Sequence, residues 1–311
     1  MKKILVFGSN GLVGSSLKRF LQKPKFKNRY NCFFSTRQDT NLLSFEETYN
    51  TISKFQPDVI IIAAAKVGGI LANNEQRFEF ITKNLRINLN IFESCKDYKK
   101  IKIINLGSSC VYPLGAKNPI KEEYIMSGKL EPTNSPYAMA KLSSIEMANS
   151  LKLNNGNTIL NLMPTNLYGP NDNFSKNDSH VIPGLISKMH EAKINKINVF
   201  EVWGTGKPLR EFLYVDDLAE AIIFLMENNI ESNLLNIGSN EEVSIKNLAK
   251  KIKKVINFKG EIVFNENFPD GNPRKLLDSS KIFNMGWKPK ENLESGLKKT
   301  YNWYLENITN L

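Results

Sequence analysis

Short, unbroken apolar runs alternate with segments of helical periodicity along the first half of the chain. Ile4-Leu5-Val6-Phe7, Cys32-Phe33-Phe34, the run from Pro57 to Ala65 and Lys102-Ile103-Ile104-Asn105-Leu106 read as strands, the longer ones too continuously apolar to leave one face in water. Between the first two, Val13, Leu17 and Leu21 recur at the spacing of a helix with one inward stripe. Strands and helices alternating in this way to about residue 165 predict an α/β fold, a doubly wound parallel sheet of the Rossmann type.

The joint between the first strand and the first helix carries the first chemistry. Phe7 runs directly into Gly8-Ser9-Asn10-Gly11-Leu12-Val13-Gly14. Gly8 permits a tight turn, Gly11 lets the backbone approach a pyrophosphate, and Gly14 allows helix to pack closely on strand, while the helix N-terminus offers its positive end and free N–H groups. A glycine loop alone is a weak signal; followed by two more strands, it predicts a dinucleotide site. The second strand should carry the residue that separates NAD from NADP. Here stands Thr36-Arg37-Gln38-Asp39: Arg37 suits a ribose 2′-phosphate and favours NADP(H), and Asp39, two residues later, keeps NAD open.

A second signal lies in Ser135-Pro136-Tyr137-Ala138-Met139-Ala140-Lys141. Four residues is one helical turn, so the Tyr137 phenol and Lys141 ammonium share a face. Ser135 is placed to cap the helix and Pro136 to occupy its first position. The ammonium's field is expected to favour the phenolate and bring proton exchange toward neutral pH. Tyr-x-x-x-Lys occurs on many solvated helix faces, but here Leu106-Gly107-Ser108-Ser109-Cys110 leaves a strand at the carboxyl edge of the sheet, where open α/β folds bind ligands. Ser108, Tyr137 and Lys141 thus resemble the constellation of the short-chain dehydrogenases, which protonate an oxygen while hydride reaches its carbon.

Composition narrows the alternatives. With 311 residues, 41% hydrophobic and 23% charged, the chain has ordinary globular usage, enough for one large core or a core plus a smaller lobe. Apolar stretches such as Val59 to Ala65 are too short to span a bilayer and Met1-Lys2-Lys3 leads straight into the first strand, so no membrane association and a cytoplasmic location are expected. The three cysteines, Cys32, Cys95 and Cys110, are widely spaced and suggest thiols rather than disulfides or a metal site. The net charge of +11 raises nucleic-acid binding, but the lysines of Lys99-Lys100, Lys250 to Lys254 and Lys298-Lys299 fall mostly on helix exteriors, where a solvated face is the simpler reading. No nucleic-acid partner is expected; a polyanionic small substrate would profit from the same field.

In the middle of the chain Met163-Pro164-Thr165-Asn166-Leu167-Tyr168-Gly169-Pro170 closes another strand with turn formers, and a polar loop leads to Ser179-His180-Val181-Ile182-Pro183. Of the two histidines, His180 follows that loop and precedes an apolar helix, a position suited to chemistry; His190 lies within the helix and reads as a surface residue.

These runs, together with Ala63 to Ile70, Leu106 to Pro113, Glu131 to Ala138, Val202-Trp203-Gly204-Thr205-Gly206 and Arg210 to Asp217, resemble end to end the GDP-L-fucose synthase family, NADPH-dependent epimerase-reductases of the extended short-chain dehydrogenase group. The resemblance implies a GDP-4-keto-6-deoxy-D-mannose substrate, epimerised at C3 and C5 and then reduced at C4. It implies Cys110 as the base and His180 as the acid of epimerisation, the imidazolium helping the thiol to ionise, and Tyr137, Ser108 and Lys141 as the reducing group. It further implies cofactor contacts from residues 8 to 14, Arg37, Leu106, Gly107, Ser108, Ser109, Lys141, Pro164, Thr165, Asn166, Leu167 and His180, and GDP-sugar contacts from Lys188, Trp203, Arg210 and Asp270. No metal is required.

The same resemblance implies a dinucleotide domain of residues 1–165 and 211–240, a smaller α/β substrate lobe of residues 166–210 and 241–311, and a homodimer formed through helices that include Asn84 to Cys95 and the Tyr137 helix. Two departures stand out. Ser9-Asn10 replaces a basic residue in the glycine loop, leaving Arg37 as the main phosphate anchor, and Lys188 stands where arginine also occurs, keeping charge but losing the planar fork. A GDP-L-colitose synthase would share every reacting residue and differ in sugar contacts. A non-catalytic NADP-binding sensor of the same fold is disfavoured by the intact Ser108, Tyr137, Lys141, Cys110 and His180.

Overall fold

The computed structural model describes residues 1–310 except 177, 229, 231 and 269. In chain order the strands are β1 (Lys2–Phe7), β2 (Tyr30–Ser35), β3 (Val59–Ile62), β4 (Lys102–Leu106), β5 (Ile159–Pro164) and β6 (Asn166–Tyr168). They continue with β7 (Val199–Trp203), β8 (Leu209–Tyr214), β9 (Leu234–Ile237), β10 (Glu242–Ser244), β11 (Glu261–Asn265) and β12 (Arg274–Lys275). Six of them form one all-parallel sheet in the order β2-β1-β3-β4-β5-β9.

Burial on both faces explains the unbroken apolar runs. Along β1, Ile4 and Val6 point into one core with Val59 and Ile61, closed by helices Leu12–Leu21 and Val215–Glu227 through Leu17, Leu21, Leu218 and Ile222. Leu5 and Phe7 point into the opposite core with Ile60 and Ile62, closed by helices Phe45–Phe55, Arg77–Cys95 and Ser135–Asn155 through Ile52, Ile91 and Ala148. The period of two along each strand therefore feeds two cores. Strand order reverses direction between β1 and β3, which opens a crevice above their carboxyl ends at Gly8 and Ala63.

The second set of strands is built around β8, which runs parallel to β6 and β12 and antiparallel to β10, with β7 and β11 paired beside it. Helices Val181–Ile194, Ile245–Ile256 and Leu293–Asn307 bury Ile186, Met189, Leu248, Ile252, Leu297 and Tyr301 against Phe212 and Tyr214. Leu213, between those two aromatics, points into the core of the six-stranded sheet instead. β8 thus serves both cores, and the chain rejoins the large sheet through helix Val215–Glu227 and β9. Ile282, Phe283 and Trp287, late in the chain, also pack on the large-sheet core rather than on the smaller one. Among the described residues no helix is long and apolar enough to cross a membrane.

Candidate active site

The crevice begins at the turn after β1. Gly8 has φ +82°, and a Cβ there would lie 2.7 Å from the Ala64 backbone. A Cβ on Gly14 would lie 2.2 Å from the Gly8 carbonyl oxygen, so helix and turn are in direct backbone contact. Gly11 differs: its Cβ would meet only that same oxygen, at 3.5 Å, which leaves the ground above the helix N-terminus open to a ligand. That is the shape a dinucleotide pyrophosphate requires. Ser9 is buried and its hydroxyl donates to Ser35 O at 3.0 Å, tying the turn to β2 and leaving its backbone as the part available to a ligand.

At the end of β2 Arg37 is exposed, with no hydrogen-bond partner among the described residues. Asp39 is engaged: one carboxylate oxygen accepts from the Thr36 amide at 2.8 Å and the Thr36 hydroxyl at 2.6 Å, and these bonds hold its pKa below the usual carboxylate value. A carboxylate folded into its own turn is poorly placed to take a ribose hydroxyl, so this edge fits a 2′-phosphate.

β4 delivers Gly107 and Ser108 to the same edge. The Ser108 hydroxyl accepts from the Cys110 amide at 3.2 Å, starting the short turn Ser109–Val111 that turns Cys110 back toward the crevice. Helix Ser135–Asn155 lies across it with Tyr137 and Lys141 on one face. Asn134, not Ser135, stands at its N-cap, because the Glu131 carboxylate gathers the Thr133 and Asn134 amides and turns the chain one residue early. Ser135 instead donates to Pro132 O and accepts from Arg77, whose guanidinium also donates to Pro132 O at 2.7 Å. Phe80, one turn after Arg77 on helix Arg77–Cys95, packs edge-on to the Tyr137 ring.

The electrostatics here depart from the simple pairing of ammonium and phenol. The buried Lys141 ammonium donates to Leu106 O at 2.6 Å, and desolvation pulls its pKa down to about 8. Burial, reinforced by the neighbouring Cys110, raises the Tyr137 pKa, and the Ser108 hydroxyl only partly offsets this. The phenol is therefore held protonated, poised to give a proton rather than to exist as phenolate.

Cys110 itself sits among Tyr137, Arg210 and Lys275, with the Lys275 ammonium 3.6 Å from its sulfur. His180 lies at the N-cap of helix Val181–Ile194, and the residues before it are tied to the segment that follows β3 by the Gly69 amide, which donates to Asp178 O at 2.8 Å. His180 itself is exposed. Desolvation lowers its pKa. The cation that lies against the thiol is Lys275.

On the rim formed by the smaller lobe, Lys188 lies 4.8 Å from the centre of the Trp203 ring, and Phe268 stacks on Trp203 with centroids 4.3 Å apart and planes 9° from parallel. Arg210 donates to Leu209 O at 2.9 Å, and Asp270 commits its carboxylate to Thr205. Pro164 ends β5, the side chains of Thr165 and Asn166 donate to Glu211 O, and Leu167 packs partly buried on the large-sheet core. Pattern reading does not single out Lys275, Arg77, Phe268 or the buried Glu211. Among the described residues no group of three or more His, Cys, Asp or Glu is arranged to hold a metal ion.

Comparison with known proteins agrees with this geometry. The NAD dependent epimerase/dehydratase family matches residues 4–238. GDP-L-fucose synthase 1 of Arabidopsis thaliana is 45% identical over 99% of this chain and 94% of its own. GDP-L-fucose synthase of Escherichia coli K12 is 41% identical over 98% of this chain and 97% of its own. A GDP-L-fucose synthetase from Naegleria fowleri, solved bound to NADP, superposes with a TM-score of 0.90 at 31% identity, covering 99% of this chain and 95% of that one.

Proposed function

The chain belongs to the NAD dependent epimerase/dehydratase family and to its GDP-L-fucose synthase branch, and on that premise we propose how its residues divide the work of an NADP-dependent epimerase-reductase acting on a GDP-sugar. The substrate is GDP-4-keto-6-deoxy-D-mannose, inverted at C3 and C5 and reduced at C4 to GDP-L-fucose. The observation that carries this reading is the grouping of Ser108, Cys110, Tyr137 and Lys141 beside an open glycine turn, with a cation at the thiol.

The turn at Gly11 and the Arg37 guanidinium would hold NADPH, which when bound would supply the hydride. The C4 ketone acidifies the hydrogens on both neighbouring carbons, so Cys110 as thiolate takes a proton from one face. The bonding electrons move onto the carbonyl oxygen, where the Ser108 hydroxyl and Tyr137 phenol donate hydrogen bonds. His180, in its protonated form, is the acid that returns a proton to the other face. In the reduction the protonated Tyr137 gives its proton to the C4 oxygen, and Lys141 beside it provides positive charge as the phenolate forms. Lys188 and Arg210 meet the diphosphate, with Trp203 as an aromatic wall.

A second copy of the chain is the partner this reading adds. Helices Arg77–Cys95 and Ser135–Asn155 leave an apolar groove that includes Phe92, Met147 and Leu151, and Leu89 and Met139 on the same pair of helices are 52% and 47% exposed. Covering this face in a homodimer would also brace the helix that carries Tyr137.

The test is incubation with GDP-4-keto-6-deoxy-D-mannose and NADPH or NADH, following cofactor absorbance and identifying the sugar by NMR. GDP-L-fucose formed with NADPH preferred is the expected result. No oxidation of either cofactor would overturn the proposal, and a product other than GDP-L-fucose would move the chain to a related deoxysugar.

A further inference from the structure

We propose that Lys275 is a positioning residue that holds Cys110 in its thiolate form. This rests on the reading of Cys110 as the epimerisation base and names the group that makes it one. A thiol at its ordinary pKa of ~8.5 is mostly protonated at neutral pH, and only the thiolate can remove a proton from carbon. In that step the sulfur lone pair forms S–H, the C–H bond breaks, and its electrons pass to the carbonyl oxygen.

The charged and titratable groups that face the sulfur come from three elements. Tyr137, from helix Ser135–Asn155, is held neutral and brings no charge to the sulfur. Arg210, from β8, is a cation, but its guanidinium is turned to the backbone oxygens of Leu209 and Asp270. Lys275, from β12, directs its ammonium to the sulfur at 3.6 Å, within hydrogen-bonding distance for N–H and sulfur. Among the described residues Lys275 forms no salt bridge with a carboxylate, so its charge is available to the thiol. An opposite charge at this separation in a half-buried site favours the charged form of Cys110.

The backbone around Lys275 is clamped. Residue 275 is paired in register with Arg210 on β8. The next amide, of Leu276, donates to Asn118 Oδ1 at 2.7 Å, and that of Leu277 donates to the buried carboxylate of Glu211 at 3.1 Å. Leu276 O in turn accepts from the Ile120 amide at 2.7 Å. A lysine on so short a strand would otherwise wander; held at both ends, it keeps its side chain over one atom.

The other two thiols allow a direct test. Burial raises Cys32 to about 11 and Cys95 to about 12, so both are inert near neutrality. The rate of iodoacetamide alkylation of Cys110, followed against pH by peptide mass spectrometry on the full-length protein, should rise with a midpoint clearly below that of a free thiol. In Lys275→Met the midpoint should move up by about one pH unit, with alkylation at neutral pH about tenfold slower, and Lys275→Arg should restore most of it. Deuterium exchange into the GDP-sugar should slow in parallel and recover at higher pH, with KM little changed.

An unchanged midpoint in Lys275→Met would overturn the proposal, and a rise in KM alone would make Lys275 a diphosphate contact. A wild-type Cys110 titrating at or above the free-thiol value would overturn it without any variant. Alkylation needs no turnover: a low midpoint in a protein that leaves the GDP-sugar untouched would instead count against the function proposed above.

Discussion

Asp270 closes on Thr205 with both oxygens: Oδ1 accepts from the Thr205 amide at 2.8 Å and Oδ2 from the Thr205 hydroxyl at 2.7 Å. The clasp fixes the turn Gly204–Thr205, where Gly204 has φ +84° and could not take a Cβ, since it would lie 2.3 Å from Asp270 Oδ1. Trp203 immediately precedes this turn. Asp270 therefore holds the turn that follows Trp203, the residue proposed as the aromatic wall for the sugar nucleotide.

The first prediction follows. Asp270→Ala removes two charge-assisted bonds, worth about 1.5–3 kcal/mol each when made to a charged group, and frees the turn. KM for the GDP-sugar should rise about tenfold or more with a smaller change in kcat. Asp270→Asn, which can still accept one of the two bonds, should fall between. Steady-state kinetics on both variants decide it; an unchanged KM in Asp270→Ala would remove the clasp from substrate binding.

The two half-reactions should separate. Tyr137→Phe keeps the ring against Phe80 but loses the proton that goes to C4, so reduction should fall by about 10²–10⁴-fold while solvent deuterium still enters the sugar. Cys110→Ala should do the reverse at the first step, blocking exchange. NMR of the sugar in D₂O without reduced cofactor reads exchange alone. Normal exchange in Cys110→Ala would assign the base to another residue.

Much of this is legible in the sequence, and the division has a physical basis. β1 and β3 are recognisable because both their faces are buried, which leaves no polar alternation to confuse with a surface strand. Tyr137 and Lys141 are recognisable because helical spacing places them on one face. Spacing does not say what surrounds the pair: Lys141 donates to Leu106 O, and burial of the phenol, with Cys110 beside it, raises the Tyr137 pKa. Lys275 is out of reach for a different reason. It stands 165 residues from Cys110 in the chain, and a lysine in a basic sequence carries no pattern that marks it.

The buried Lys141 makes stability depend on pH. Its folded pKa of about 8 lies below its ordinary 10.5, so between those values the unfolded chain binds the proton and the folded one does not. Stability should accordingly rise with pH across that window, because the cost of burying the ammonium disappears. Lys141→Met should flatten this part of the profile. Denaturant midpoints of the two proteins, measured across the window, provide the check; parallel profiles would place the titration elsewhere.

The glycine turn offers a paired test of packing against ligand space. In Gly14→Ala the new Cβ meets the Gly8 carbonyl oxygen at 2.2 Å and Ser9 Cα at 2.6 Å, both backbone atoms that can yield only if helix Leu12–Leu21 moves off the sheet. Overpacking of this kind costs about 1–3 kcal/mol, so the variant should melt earlier and bind NADPH weakly. In Gly11→Ala the Cβ meets protein only at an ordinary contact distance of 3.5 Å, and the backbone there is already extended, at φ −77° and ψ 175°. That variant should keep its stability and lose affinity for NADPH, because the methyl group stands where the pyrophosphate must approach the helix N-terminus. Thermal melts with and without NADPH separate the two. A Gly11→Ala protein with wild-type cofactor affinity would mean that the dinucleotide does not cross this turn, and the proposed cofactor site would have to be moved.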